Sequence, residues 1–302
     1  MVRRKNAFCY LMVAPMLALV LVLGVYPMLQ TLAMSVVRYD LMRIAREGTP
    51  FVGIENFRQI FAEPRFWIAF RNTLVFVVIV VGCVVALGLL VAQVLNMDFR
   101  GRGVLRSLIL VPWVTPPVVS SAIWIWMYMA DRSPINQVLM SLGLLDAPIR
   151  FLTDATRVWG PFSVPMGAVS SVRIWNGLPF VTVMLLAGLQ SIPHEVYEAA
   201  EIDGASGIAR FRYVTLPMLG PVLSVLVTLL AIGGIGHFEM NYIMTLGGPN
   251  DLTNVLSVLA YQSAFTFYRF DLGAAISAII LLSTGAVAAF YIRAQLRGTG
   301  AG

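Results

Sequence analysis

Lysine is almost missing from this 302-residue sequence: Lys5 is the only one among 21 basic residues, and the rest are arginine. A phosphate-cradling P-loop needs Gly-Lys-Ser/Thr. Lys5 is followed by Asn6, so a Walker-type ATP site is excluded. Histidine occurs only as His194 and His237, in different segments, which leaves no zinc-ligand spacing and no expected metal site. The two cysteines, Cys9 and Cys83, both lie in apolar stretches and read as buried small hydrophobes. Charged residues make up only 12%, against about 25% in soluble domains. The net charge of +6 is scattered, which argues against a nucleic-acid stripe and for loops facing anionic lipid headgroups.

What is abundant is apolar. Hydrophobic residues reach 59%, and mean hydropathy is +0.82. Length alone would suggest two soluble domains, but this composition indicates an integral membrane protein. Spans of roughly 20 apolar residues are expected at Cys9–Val37, Phe66–Leu95, Leu108–Met129, Val164–Leu189, Met218–Phe238 and Gly273–Ile292. The first follows Arg3-Arg4-Lys5 like a signal peptide. It is too long for an h-region and closes on no small-x-small site, so it reads as a retained helix.

The expected fold is therefore an all-α polytopic membrane protein with six transmembrane helices. An even number of crossings puts both termini on one side. The raw count of basic residues is nearly even between the two sides. Short loops carry more weight: Arg100, Arg102 and Arg106 stand against one acid, Asp98, and the N-terminal stub has three basic residues and none acidic. Both termini are accordingly expected to be cytoplasmic. Three outside stretches, Arg38–Arg65, Ala130–Pro161 and Glu239–Asp271, are long enough to fold against the bundle or bind an external molecule.

One inside loop stands apart. From Ser191 it reads SIPHEVYEAAEIDGASG and runs on to Thr215-Leu216-Pro217. Pro193 suits a helix start. Glu195, Glu198 and Glu201 recur every three residues, Ala199 and Ala200 favour helix, and Gly204 and Gly207 turn the chain. Spacing alone allows a merely solvated amphipathic helix. The stretch also resembles the EAA motif of ABC importer permeases: EAA, three residues, G, nine residues, I-x-L-P. Glu198-Ala199-Ala200, Gly204 and Val214-Thr215-Leu216-Pro217 fall in register, with Val214 in place of Ile.

The resemblance covers nearly the whole chain. Phe51-Val52-Gly53-Ile54-Glu55-Asn56-Phe57 is similar to the F-x-G-x-x-N-[FY] element of sugar-type permeases. Asn72-Thr73, Val111-Pro112-Trp113 with Pro116-Pro117 and Trp124, and Leu246-Gly247-Gly248-Pro249 with Thr253 and Tyr261 match further positions. Gly233-Gly234-Ile235-Gly236 departs from the pattern and reads as close helix packing.

The resemblance implies the first permease of the unlike pair in binding-protein-dependent carbohydrate uptake (the maltose, trehalose and glycerol-3-phosphate class). It implies a single permease domain over residues 1–302, with its core at about 66–292 and a cytoplasmic coupling loop at 191–216. The location implied is the bacterial cytoplasmic (inner) membrane. Partners would be a second homologous permease, two ATP-binding-cassette ATPase subunits and an extracytoplasmic solute-binding protein. ATP and Mg would sit on the ATPases, and this chain would hold no cofactor. Glu198, Ala199, Ala200, Asp203, Gly204 and Pro217 would couple to the ATPase.

Polar groups within spans are functional candidates. Arg173, Trp175 and Asn176 in the fourth span, with His237, Glu239 and Asn241 where the fifth ends, could line a sugar pathway. Equally, Arg173 and Glu239 could pair at an interface and Trp175 could join an aromatic belt. A secondary transporter of a small polar solute is the alternative function, but no Asp or Glu lies deep within any span to bind a coupling ion. A membrane enzyme lacks a nucleophile–base constellation, and an ion channel lacks a recognisable filter.

Overall fold

The computed structural model describes the backbone of residues 2–130, 132–160 and 162–299, and side chains between residues 11 and 296 within those limits. Cys9, Arg3, Arg4 and Lys5 lie outside the described side chains. The chain is mostly helical. The helices used below are α1 (Leu11–Met34), α2 (Glu55–Ala62), α3 (Pro64–Asn96), α4 (Arg102–Val114), α5 (Pro117–Tyr128), α6 (Val164–Gln190), α7 (His194–Ile202), α8 (Gly207–Met218), α9 (Gly220–Ile235), α10 (Glu239–Thr245) and α11 (Phe270–Thr299). Strands β1 (Val158–Trp159) and β2 (Phe162–Ser163) pair antiparallel just before α6.

Helices α1, α3, α6 and α11 are each long and apolar enough to cross a membrane; α4–α5 and α8–α9 qualify only as bent pairs. The third expected span is thus broken by 96°, and the fifth meets the helix before it at 65° at its very start. Proline explains both breaks. Thr115 and Pro116 each precede a proline, which disfavours the helical region, and they take extended backbone angles with ψ of 123° and 141°. Pro221, in the first turn of α9, has no N–H for the Pro217 carbonyl, so the helix cannot run straight through.

The chain divides into two compact units, residues 1–66 with 259–282, and residues 67–258 with 283–302. In the first, the loop after α1 is folded tightly. Gly53 takes φ +58°, its N–H donates to the Val36 carbonyl at 3.0 Å, and the buried Asn56 amide donates to the Ser35 and Val37 carbonyls at 2.9 and 2.8 Å. That accounts for the glycine and asparagine of the F-x-G-x-x-N element. At the start of α11, Asp271 is fully buried and accepts from Arg269 Nε and Nη2 at 3.0 and 3.1 Å.

The second unit has two apolar cores. One gathers Phe76, Met166, Val169 and Met240; the other gathers Val84, Val181, Leu185, Leu219 and Leu226. Small residues permit the close packing on which membrane helices depend. A Cβ on Gly88 would stand 2.7 Å from Val181, on Gly188 2.9 Å from Leu219, and on Gly234 3.0 Å from Val77. Of the glycines near the end of α9, only Gly234 serves close packing; Gly233 and Gly236 meet nothing within 4 Å, and Gly236 instead ends the helix. Cys83, expected to be buried, is exposed on α3. An apolar run fixes an apolar environment without saying whether lipid or protein supplies it.

Candidate functional site

Two regions bear on function, one beyond the C-terminus of α6 and one beside the middle of that helix. With 27 residues, that helix is about 40 Å long at 1.5 Å per residue. Beyond its C-terminus lies α7, capped by Pro193 and Asp203. The helix stops as its sequence dictates. Gly204 takes φ +78°, the Ala205 N–H returns to the Ala200 carbonyl at 2.9 Å, and the Gly204 N–H returns to Glu201 at 3.0 Å. This paired-bond ending needs a left-handed residue just past the helix, the position glycine favours. Ser206 then accepts from the Ala209 N–H at 3.3 Å and starts α8.

The α7 helix has a clear inside and outside. Val196, Tyr197 and Ala200 are half-buried, and the Tyr197 hydroxyl meets the Thr215 hydroxyl at 3.1 Å. Glu195, Glu198, Ala199, Ile202 and Asp203 are exposed, Ile202 at 87%. Glu201 pairs with Arg210 at 3.1 Å, tying α7 to α8. Pro217 lies at the end of α8, at the 65° bend. An exposed acidic helix with small and apolar side chains is thus tied to α8 and to the residues before Pro217.

Midway along it, α6 and the α9–α10 break bring polar groups together. Arg173 Nη1 donates to Asn176 Oδ1 at 3.3 Å, and Asn176 Nδ2 donates to the Pro112 carbonyl at 2.8 Å. The second contact has a definite cause. Pro116 has no N–H to offer the carbonyl four residues before it, and Asn176 supplies the missing donor. Glu239, half exposed, stands 3.6 Å from His237 Nδ1, and its charge also acts on Arg173. No ion pair joins Arg173 to Glu239 among the described residues.

Trp175 and Asn241 are placed differently. Trp175 meets Trp124 edge-on at 5.7 Å, and the column continues through Tyr128 to Phe151. Asn241 is fully buried against the loop after α10, its amide 3.4 Å from the Thr253 carbonyl. The same loop is fastened to α3: Asn72 Nδ2 donates to the Asp251 and Asn254 carbonyls at 2.7 and 3.0 Å, and Thr73 Oγ1 accepts from the Leu256 N–H at 2.9 Å. A cavity of about 540 Å³ opens beside it, lined by Tyr128, Met129, Arg150, Thr153, Thr245 and Leu246.

Sequence reasoning missed two members of this region. Phe76 stacks on the His237 ring at 5.6 Å and 8°, and Ser257 Oγ donates to the His237 carbonyl at 2.5 Å. Phe76 sits inside an unbroken apolar run and Ser257 in an ordinary helix, so neither carried a local signal.

Comparison with known proteins supplies the wider frame. Residues 84–298 match the family described as binding-protein-dependent transport system inner membrane component. The chain is 36% identical over 290 residues to the trehalose/maltose transport system permease protein MalF of Thermococcus litoralis, covering 96% of this chain and 94% of that protein. It is 32% identical to the lactose transport system permease protein LacF of Rhizobium radiobacter, covering 90% and 89% of the two chains. A crystal structure of a bacterial alginate ABC transporter, in complex with an alginate pentasaccharide-bound periplasmic protein, shares the fold. Its TM-score is 0.77 at 20% identity, over 95% of this chain and 93% of that one.

Proposed function

The chain belongs to the binding-protein-dependent transport system inner membrane components, and from that membership we propose that it is the sugar-translocating permease subunit of an ATP-binding-cassette importer. The sugar is carried over from relatives named for trehalose/maltose and lactose transport. Family membership sets the secondary-transporter alternative aside.

In this reading each bent pair counts as one span. Six spans then leave both termini in the cytoplasm, within the bacterial cytoplasmic membrane. The partners are a second homologous permease, two ATPase subunits carrying ATP and Mg, and an extracytoplasmic solute-binding protein.

One observation carries the reading: α7, an exposed acidic helix closed by the left-handed Gly204, projects from a chain with no nucleotide-binding loop of its own. Glu198, Ala199, Ala200, Asp203 and Gly204 form the docking element, and Pro217 lies at the bend through which it acts on α9. ATP-driven closure of the ATPases draws this helix toward its counterpart in the second permease. The pathway then turns outward to receive sugar from the binding protein. Arg173, Trp175, Asn176, His237, Glu239 and Asn241 line or frame that pathway.

The test is purification of the tagged chain from its native membrane. A homologous permease and an ATPase are expected to co-purify, with ATP hydrolysis stimulated by a sugar-loaded binding protein. A chain recovered alone that still exchanges solute across liposomes would overturn the proposal.

A further inference from the structure

The turn from α3 into α4 brings an aliphatic groove and an excess of arginine together. Leu90, Val94 and Leu95 of α3, with Leu105, Leu108 and Ile109 of α4, line a cavity of about 480 Å³, and every residue around it is aliphatic. Leu90, Val94, Leu105 and Leu108 are exposed, so the groove opens outward from the chain. Beside it stand Arg100, Arg102 and Arg106. The nearby acid, Asp98, pairs with Arg102. Among the described residues no acid pairs with Arg100 or Arg106. Arg106 belongs to the groove wall: its Nη2 donates to the carbonyl of Leu95 at 3.1 Å. Its Nε is buried and has no hydrogen-bond partner among the described residues, a condition native interiors seldom keep.

We infer that this hairpin is a binding site for an anionic phospholipid, with one acyl chain in the groove and the phosphate at Arg100 and Arg106. A wall without a polar side chain matches a hydrocarbon tail. A guanidinium presents paired donors to phosphate oxygens, and its stem can lie on apolar surface while the head reaches the interface. An anionic phospholipid carries both parts in one molecule. A polypeptide helix laid in the groove would need acids of its own opposite Arg100 and Arg106. A zwitterionic lipid would fill the groove but set its own cation against the arginines. Met97 and Val104, exposed on either side of Arg100 and Arg102, give the turn the mixed apolar and basic surface of a membrane interface. The site uses no residue of α7 or of the polar cluster beside α6, and it depends on neither cargo nor ATP. In the orientation proposed above it draws its lipid from the cytoplasmic leaflet.

The test uses the assembled complex in proteoliposomes doped with phosphatidylglycerol or phosphatidylcholine, each carrying the same photoreactive acyl chain. Labelled peptides are mapped after irradiation. An arginine near a headgroup phosphate favours an anionic lipid by about fivefold. Peptides spanning 90–109 are therefore expected to take phosphatidylglycerol over phosphatidylcholine by about fivefold or more. The exposed apolar face of α1 around Leu17 serves as the reference and is expected to show a ratio close to one. Arg100→Gln with Arg106→Gln is expected to bring the hairpin ratio down to that of α1. Arg100→Gln alone, at an exposed position, is expected to lower the ratio severalfold and keeps the test open should the double variant not assemble. Val94→Trp fills the groove and is expected to reduce labelling of the hairpin by both lipids. Equal ratios at the hairpin and at α1 in wild type would overturn the inference, as would a wild-type preference that survives Arg100→Gln and the double variant. It would also be overturned if 90–109 took no lipid label and Val94→Cys cross-linked to a neighbouring subunit instead. None of these outcomes touches the importer reading, which is tested by co-purification and ATP dependence.

Discussion

Gly204 and Gly88 illustrate two different reasons for a glycine. At Gly204 nothing lies within 4 Å of the place a Cβ would occupy, and the constraint is φ +78° alone. Gly204→Val is expected to cost about 1–2 kcal/mol of local stability and to uncouple ATP hydrolysis from uptake. Gly204→Asn, which tolerates the left-handed region, is expected to keep most of the transport rate; equal rates in both variants would remove the turn from the mechanism. At Gly88 the backbone is helical, but a Cβ would press on Val181 at 2.7 Å. Gly88→Val is expected to lower complex stability by about 1–3 kcal/mol through overpacking, read as an earlier thermal transition. Asn176→Leu strips the Pro112 carbonyl of its donor and is expected to cost a similar amount, about 1–3 kcal/mol. A variant that loses transport without that thermal shift would make Asn176 a solute contact and not a support for the bend. At this scale the sequence was partly legible. Gly204 announced itself by its place after an acidic helix, whereas Gly88 and Phe76 lie within apolar runs, where partners across the bundle decide their roles.

Helices, by contrast, were legible in extent more than in shape. Apolar run length located all the long helices, because crossing a bilayer demands about 20 such residues whatever they pack against. The bends at 115–117 and 217–221 were written in the sequence as prolines but overridden by hydropathy, which is blind to backbone hydrogen bonds. Motif residues carried more than length did. Gly53, Asn56, Asn72, Thr73 and Thr253 each have a specific bond or backbone angle to account for them. The position of α7 relative to the membrane gives a prediction at this scale. In a background lacking Cys9 and Cys83, Ser206→Cys is expected to resist an impermeant thiol reagent added to intact cells and to react in inverted vesicles. Labelling from outside would reverse the orientation proposed for all six spans.

Across the whole molecule, an uneven distribution of chemistry defines the work the chain can do. It has no phosphate-cradling motif, so purified chain alone is expected to show no ATP hydrolysis in a coupled phosphate-release assay, with activity appearing only when ATPase subunits are added. Its family was legible from the α7 loop and the loop motifs together, since these place fixed residue types at fixed separations. The proposed pathway was legible only as scattered polar residues, because which of them meet depends on how α3, α6 and the α9–α10 break pack. What remains decisive is the source of energy. Proteoliposomes holding the chain, its permease partner and the ATPases can be loaded with ATP or given an ion gradient without it, and then offered the sugar carried by its binding protein. Uptake is expected only with ATP present on the ATPase side. Accumulation driven by the ion gradient without ATP would contradict an ATP-powered permease directly.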